Sequence, residues 1–176
     1  WKWRCVCVAQ QIVYANRRPL AIDTQRRLSP IHYAECHPLG KVRRMNQDSA
    51  IHKILAEAKT IAVVGFSSNR AKAGYYVPAY LQKQGYRIIP VNPNLSEGLG
   101  EPAYPTLAEV PEPIDLVLVF QRSENVPPFV DEAIAVGARA VWLQLGIAHE
   151  AAAEKARTAG LDVVQDACML VEHQRR

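Results

Sequence analysis

Between Thr60 and Lys72 the chain reads Thr60-Ile61-Ala62-Val63-Val64-Gly65-Phe66-Ser67-Ser68-Asn69-Arg70-Ala71-Lys72. An apolar run of the kind that fills a buried strand stops at a glycine. Small polar residues follow, then two cations. Where a parallel strand turns into a helix, free backbone N–H groups and the positive end of the helix dipole face the turn. That arrangement takes an anion, and Arg70 and Lys72 would add to its charge. A phosphate of a nucleotide is the ligand this chemistry expects.

The same stretch argues against a common nicotinamide dinucleotide site. After Gly65 the second and third glycines of that fingerprint are missing; Ser67 and Arg70 stand in their places. Such sites also end their second strand on a carboxylate that holds the adenine ribose. Here the second strand ends Pro90-Val91-Asn92-Pro93. Asn92 can hydrogen-bond a ribose or a base, or it can simply form a turn with Pro93. An NAD(P)-using enzyme is the alternative that the fold alone would allow.

Two later strand ends add candidates. Phe120 is large enough to stack on a base, and Arg122 could reach a phosphate; core packing and a solvated ion pair are their structural readings. Trp142-Leu143-Gln144-Leu145-Gly146 ends the fourth strand, and Gly146 permits close backbone approach. Trp142 reads as core. The chain has no Gly-x-Ser-x-Gly elbow, Walker loop or His-Glu-x-x-His helix. No catalytic set and no metal site are expected. Asp166, Cys168 and His173 lie together near the end, where a thiolate beside an imidazole could act as a redox-responsive group. A buried structural cysteine beside a surface histidine is the other reading, and the one favoured here.

These residues need a scaffold, and the pattern supplies one. Apolar runs at 61–66, 87–91, 114–120, 139–145 and 162–165 are largely continuous rather than alternating, as in strands covered on both faces. Helical segments are expected at 76–84, 124–136 and 149–159, and a first helix capped by Asp48 or Ser49 carries Ile51, Ile54, Leu55 and Ala58. Pro78 and the Pro127-Pro128 pair are placed in early helical turns, and Ser123 can cap the helix at 124–136. Three segments share one layout, a glycine (Gly85, Gly137, Gly160) that ends a helix and a strand that follows at once. The residues between Asn92 and Pro113 read as an extended loop with one short helical turn near Leu107. The fold expected is a doubly wound, Rossmann-like α/β domain: a five-stranded parallel sheet with helices on both faces, in the order 3-2-1-4-5.

Composition divides the chain. Residues 1–44 hold nine Lys and Arg against two acidic residues, whereas 45–176 hold twelve against fifteen. The patterned part is mildly acidic, so neither nucleic acid nor a membrane is an expected partner. Residues 1–44 lack a sustained period and are expected to be a disordered extension or an upstream translation. A basic transit peptide or a basic arm are the competing readings. Cys5, Cys7 and Cys36 fall there and Cys168 alone beyond, with no spacing for zinc or a disulfide framework. A reducing cytoplasm fits that usage.

Five segments in order resemble the stand-alone CoA-binding domain family, which is similar to the CoA-binding domain of the succinyl-CoA synthetase α subunit. They are Ile61-Ala62-Val63-Val64-Gly65-Phe66-Ser67-Ser68-Asn69, the run from Tyr80 to Tyr86, Ile89-Pro90-Val91-Asn92-Pro93, Val126-Pro127-Pro128-Phe129 and Trp142-Leu143-Gln144-Leu145-Gly146. The resemblance covers about residues 48–174. It implies that Gly65, Phe66, Ser67, Ser68 and Asn69, with Arg70 and Lys72, hold phosphates of coenzyme A. Asn92 and Pro93 would line the adenosine end, Phe120, Arg122 and Val126 the other wall, and Gln144 with Gly146 would close the crevice. Arg70-Ala71-Lys72-Ala73 departs from the Pro-containing segment of many relatives. The synthetase's further domain and partner subunit have no counterpart in residues 45–176. The implied function is a non-catalytic CoA or acyl-CoA binding protein, with a homo-oligomer among the expected assemblies.

Overall fold

The computed structural model describes residues 39–176, with side chains from Gln47 onward. The expectations for the first 38 residues, including those on Cys5, Cys7 and Cys36, lie outside the described residues.

Five strands form one parallel sheet: β1 (Thr60–Val64), β2 (Arg87–Val91), β5 (Leu116–Val119), β6 (Ala140–Leu143) and β7 (Asp162–Val164). Alternate residues of each strand feed opposite cores. Ala62, Val64, Val117, Val119, Val141 and Leu143 pack on α3 (Val126–Ala135) and α4 (Glu150–Thr158). Ile61, Val63, Leu116, Leu118 and Trp142 pack beneath α1 (Leu39–Glu57), α2 (Ala73–Lys83) and α5 (Met169–Gln174). Both faces are therefore covered, which is why the strands read as unbroken apolar runs.

The strand order is β2-β1-β5-β6-β7, not the expected 3-2-1-4-5. The third long strand, β5, lies on the far side of β1 from β2. Handedness explains the consequence. α2 carries the chain from β1 to β2 over one face; turning back across β1 moves later right-handed connections to the other face. That is where the 3-10 turn Leu107–Glu109, α3 and α4 lie. The sheet still changes direction beside β1, so the crevice stays where the sequence placed it.

Three local expectations are corrected. α1 begins at Leu39, so Asp48 and Ser49 lie inside it and cap nothing. α2 begins at Ala73, so Pro78 sits in its interior rather than its first turn. Ser123 is not the cap of α3; its Oγ accepts from the Ala148 N–H across 3.1 Å and joins the β5 loop to the β6 loop. The loop after β2 also holds a hairpin that the sequence did not announce, β3 (Glu97–Gly98) and β4 (Glu101–Pro102). Its turn uses Leu99 and Gly100, both at positive φ. The short turn at Leu107 and the glycines at 85, 137 and 160, all at positive φ, are as expected.

At the opposite end of the sheet, the Asp115 carboxylate accepts from the N–H groups of Lys59 (2.9 Å) and Thr60 (3.0 Å) and faces Arg139. Burial pushes its pKa up, but the two N–H bonds and Arg139 outweigh burial and hold it below the ordinary 3.8. Asp115→Ala should cost about 1–3 kcal/mol near neutral pH, because it strands two backbone donors at the start of β1. A lowered folded-state pKa gives stability that is present above the unfolded-state value and lost as pH falls through the folded one. Chemical denaturation should therefore show wild type and Asp115→Ala converging below pH 3.8 and separated at neutral pH.

Candidate functional site

The carboxyl ends of β1, β2 and β5 open into a cleft of about 510 Å³. Gly65, Phe66, Ser67, Ser68 and Lys72 line it from the β1–α2 turn, Asn92, Asn94 and Leu95 from the end of β2, and Phe120 and Gln121 from the end of β5. Ala73 and Gly74 form its floor at the start of α2. No lining residue is a carboxylate; Lys72 is charged and the rest are neutral.

The turn is built from its own backbone. Gly65 takes φ +79°, and a Cβ there would stand 3.1 Å from both the Phe120 carbonyl oxygen and the Gln121 Nε2. The Gly65 N–H donates to the Val91 carbonyl (3.1 Å). The Ser67 Oγ accepts from the Asn69 N–H, and the Asn69 Oδ1 accepts from the Ala71 N–H. Among the described residues nothing accepts from the N–H groups of Phe66, Ser68 or Arg70. Phe66 and Ser68 line the cleft, so two of these free donors stand at its wall beside the start of α2, an arrangement suited to an anion.

Asn92 works as a brace. Its Nδ2 donates to the Phe66 carbonyl (2.7 Å), while its Oδ1 accepts from the Asn94 N–H (2.9 Å). One carboxamide thus ties the β1 turn to the β2 turn. The Phe66 ring is buried against Gly98 of the hairpin, which has no room for a Cβ. The hairpin is in turn held by Gln82 Nε2 to the Leu99 carbonyl (3.0 Å) and by Arg87, which grips Glu101 (2.6 Å) and Glu112 (2.9 Å). Phe66 therefore offers the cleft backbone, with its ring serving as an anchor.

Not every residue singled out in the sequence reaches the cleft. Arg70 is exposed, its guanidinium 5.9 Å from the Tyr75 ring centre, and Asn69 and Pro93 are exposed beside the lining. Arg122 is exposed just beyond Gln121. Val126 has no exposed surface; at the start of α3 it is core and presents no side chain to a ligand. Gln144 is 4% exposed, and its Nε2 has no partner, an orphaned donor at the end of β6. Gly146 is exposed at φ +80°, its N–H held by the Asp166 Oδ1 (2.7 Å). Cys168 is half-buried at the start of α5 and does not line the cleft. The His173 Nδ1 is hydrogen-bonded with the Tyr80 hydroxyl (3.0 Å). Sequence reasoning missed Gly74, Asn94, Leu95 and Gln121. Gly74 had a signal, a glycine in the first turn of a helix, where it costs stability unless something needs its space.

The family model described as a CoA binding domain matches residues 59–174, and the chain belongs to that family. It is 40% identical over 123 residues to the uncharacterized protein YneT of Bacillus subtilis, covering 70% of this chain and 91% of that one. It is 30% identical over 115 residues to an ADP-forming acetate–CoA ligase of Archaeoglobus fulgidus, covering 64% of this chain but 17% of the ligase. Among solved structures, a hypothetical protein from Pyrococcus horikoshii superposes with a TM-score of 0.70 at 38% identity, over 73% of this chain and 90% of that one. Among the described residues, no helix is long and apolar enough to cross a membrane, and no group of three His, Cys, Asp or Glu could hold a metal ion.

If Asn92 braces the two turns, Asn92→Asp should be damaging despite its small size. The carboxylate cannot donate to the Phe66 carbonyl and would face it instead. Thermal or chemical unfolding should report a loss of about 1–3 kcal/mol, and the carboxylate should not create NAD affinity. A variant as stable as wild type would show that the Phe66 carbonyl finds another donor.

Proposed function

We propose that residues 45–176 hold coenzyme A or an acyl-CoA in the β1–β2–β5 cleft without catalysing its chemistry. The observation that carries this reading is the lining itself. A cleft at the sheet's switch point offers free N–H groups and Lys72 and has no carboxylate. Coenzyme A brings a pyrophosphate and a ribose phosphate, so it needs donors and cations. A dinucleotide with free ribose hydroxyls needs the carboxylate that Asn92 replaces.

The residues fit the parts of that ligand. Phe66, Ser68 and Arg70 offer backbone N–H groups to the pyrophosphate, with Lys72 alongside. Arg70 is exposed, beside Tyr75 and outside the lining, and would have to turn from that ring to meet a phosphate. Asn94, Leu95 and Pro93 border the adenosine side, and Phe120 and Gln121 the opposite wall. Gln144, with its unpartnered but buried Nε2, lies outside the cleft lining and is given no ligand contact in this reading. The related ligase is a much longer protein of which this chain matches 17%. A cytoplasmic setting, which the cysteine usage fits, is part of this reading. Cys168 lies outside the cleft lining, so a covalent role for it has no geometric support.

A ligand that binds only the native state raises the melting temperature by mass action. CoA should therefore raise Tm more than NAD or NADP at equal concentration; a larger shift with either dinucleotide would reverse the assignment. Lys72→Ala should weaken CoA binding roughly 10- to 100-fold, the ~1.5–3 kcal/mol of a charge-assisted contact. Arg70→Ala should match it only if the guanidinium leaves Tyr75 on binding. Titration calorimetry of both variants tests this, and wild-type affinity in the double variant would assign the phosphates to the backbone alone.

A further inference from the structure

Pro78 lies inside α2 and is buried. A proline there has two fixed effects. It offers no N–H to the carbonyl four residues earlier, that of Gly74, and its ring crowds that carbonyl out of line with the helix. The cost in helix stability is large enough that such a residue needs a reason.

The Gly74 carbonyl has found another donor. The Ser67 N–H bonds to it across 3.2 Å, and this bond fastens the centre of the anion-facing turn to the first turn of α2. Gly74 is also the point of closest approach. A Cβ at Gly74 would stand 2.9 Å from the Gly65 carbonyl oxygen, 3.6 Å from the Ser67 nitrogen and 3.7 Å from the Phe120 ring. The absent side chain at residue 74 lets the turn come close, and the absent N–H at residue 78 leaves an acceptor for it to bind.

We propose that Pro78 is a positioning residue for the ligand-binding turn: by withholding an N–H from the Gly74 carbonyl, it reserves that carbonyl for Ser67. With Ser67 tied inward, the flanking N–H groups of Phe66 and Ser68 stay outward and share one orientation toward a diphosphate. The ligand in this inference rests on the CoA reading above; the bond itself does not.

Pro78→Ala restores a helical donor to Gly74 and relieves the crowding, so the Ser67 bond meets a competitor. Three quantities should separate in the full chain. The melting temperature should hold or rise, because the helix regains its bond. Hydrogen exchange of the Ser67 amide should quicken, and CoA affinity should fall, each by roughly 3- to 10-fold for one weakened hydrogen bond. A proline that served packing alone would lower Tm and leave the Ser67 amide protected, and that result overturns the proposal. Unchanged exchange at Ser67 with unchanged CoA affinity overturns it as well. Wild-type protein that binds no CoA, yet loses Ser67 protection on Pro78→Ala, would refute the CoA reading and support the positioning role. Wild-type protein that binds CoA as well as Pro78→Ala does, with Ser67 equally protected in both, would do the reverse.

Discussion

The structure depends on how closely one turn can approach one helix. Between the end of β1 and the start of α2 there is no room for a side chain at Gly74 and little at Gly65. The turn must also leave β1 at positive φ. Glycine is the residue that tolerates both the angle and the contact. With the turn pressed onto α2, the N–H groups of Phe66, Ser68 and Arg70 are left without an acceptor among the described residues. The free donors of the cleft are thus a consequence of close packing behind them.

Support for that turn comes from a chain of contacts that begins far from the cleft. Arg87, at the start of β2, holds Glu101 and Glu112. Its pKa is raised by hydrogen bonds to Glu112 and Glu101, so it stays cationic throughout the accessible pH range. Gln82 on α2 holds the hairpin turn at Leu99. The hairpin then covers the Phe66 ring, and Asn92 grips the Phe66 carbonyl. Exposed ion pairs contribute little stability singly. Their use here is to fix the hairpin, and the hairpin fixes the residue at the root of the β1–α2 turn.

The strands were legible because burial on both faces writes itself as continuous apolar runs, and all five appear where those runs fall. The crevice was legible because a switch point needs only the position of β1 and the turns around it. Strand order was not, since helix and strand patterns alone do not say on which side of β1 the chain returns. The β3–β4 hairpin was hidden by its own residues: two-residue strands containing a proline, and a leucine at positive φ where glycine or asparagine is usual. Asn92 could be read from sequence as a ligand contact or a turn residue, and the structure gives it bonds on both sides. Ser123 looked like a cap because its spacing was right. The helix begins later, after a 3-10 turn, which frees its hydroxyl for Ala148.

Charge shows why totals mislead where positions do not. Residues 45–176 carry more acidic than basic groups, which alone would argue against a ligand with several phosphates. The acidic side chains are placed elsewhere. Glu150, Glu154 and Asp162 line a groove beside β7, at the far edge of the sheet from β2, together with Arg157. Asp115 sits at the opposite end of β5 from Phe120, spent on the N–H groups of Lys59 and Thr60. Salt screens exposed charges separated by more than roughly 8–10 Å, so the side chains that line a site count for more than the chain's total. What an incoming anion meets is the local set: unpaired N–H groups, a helix start and Lys72. A chain can therefore be acidic in sum and still present a cleft whose lining holds a cation and no carboxylate.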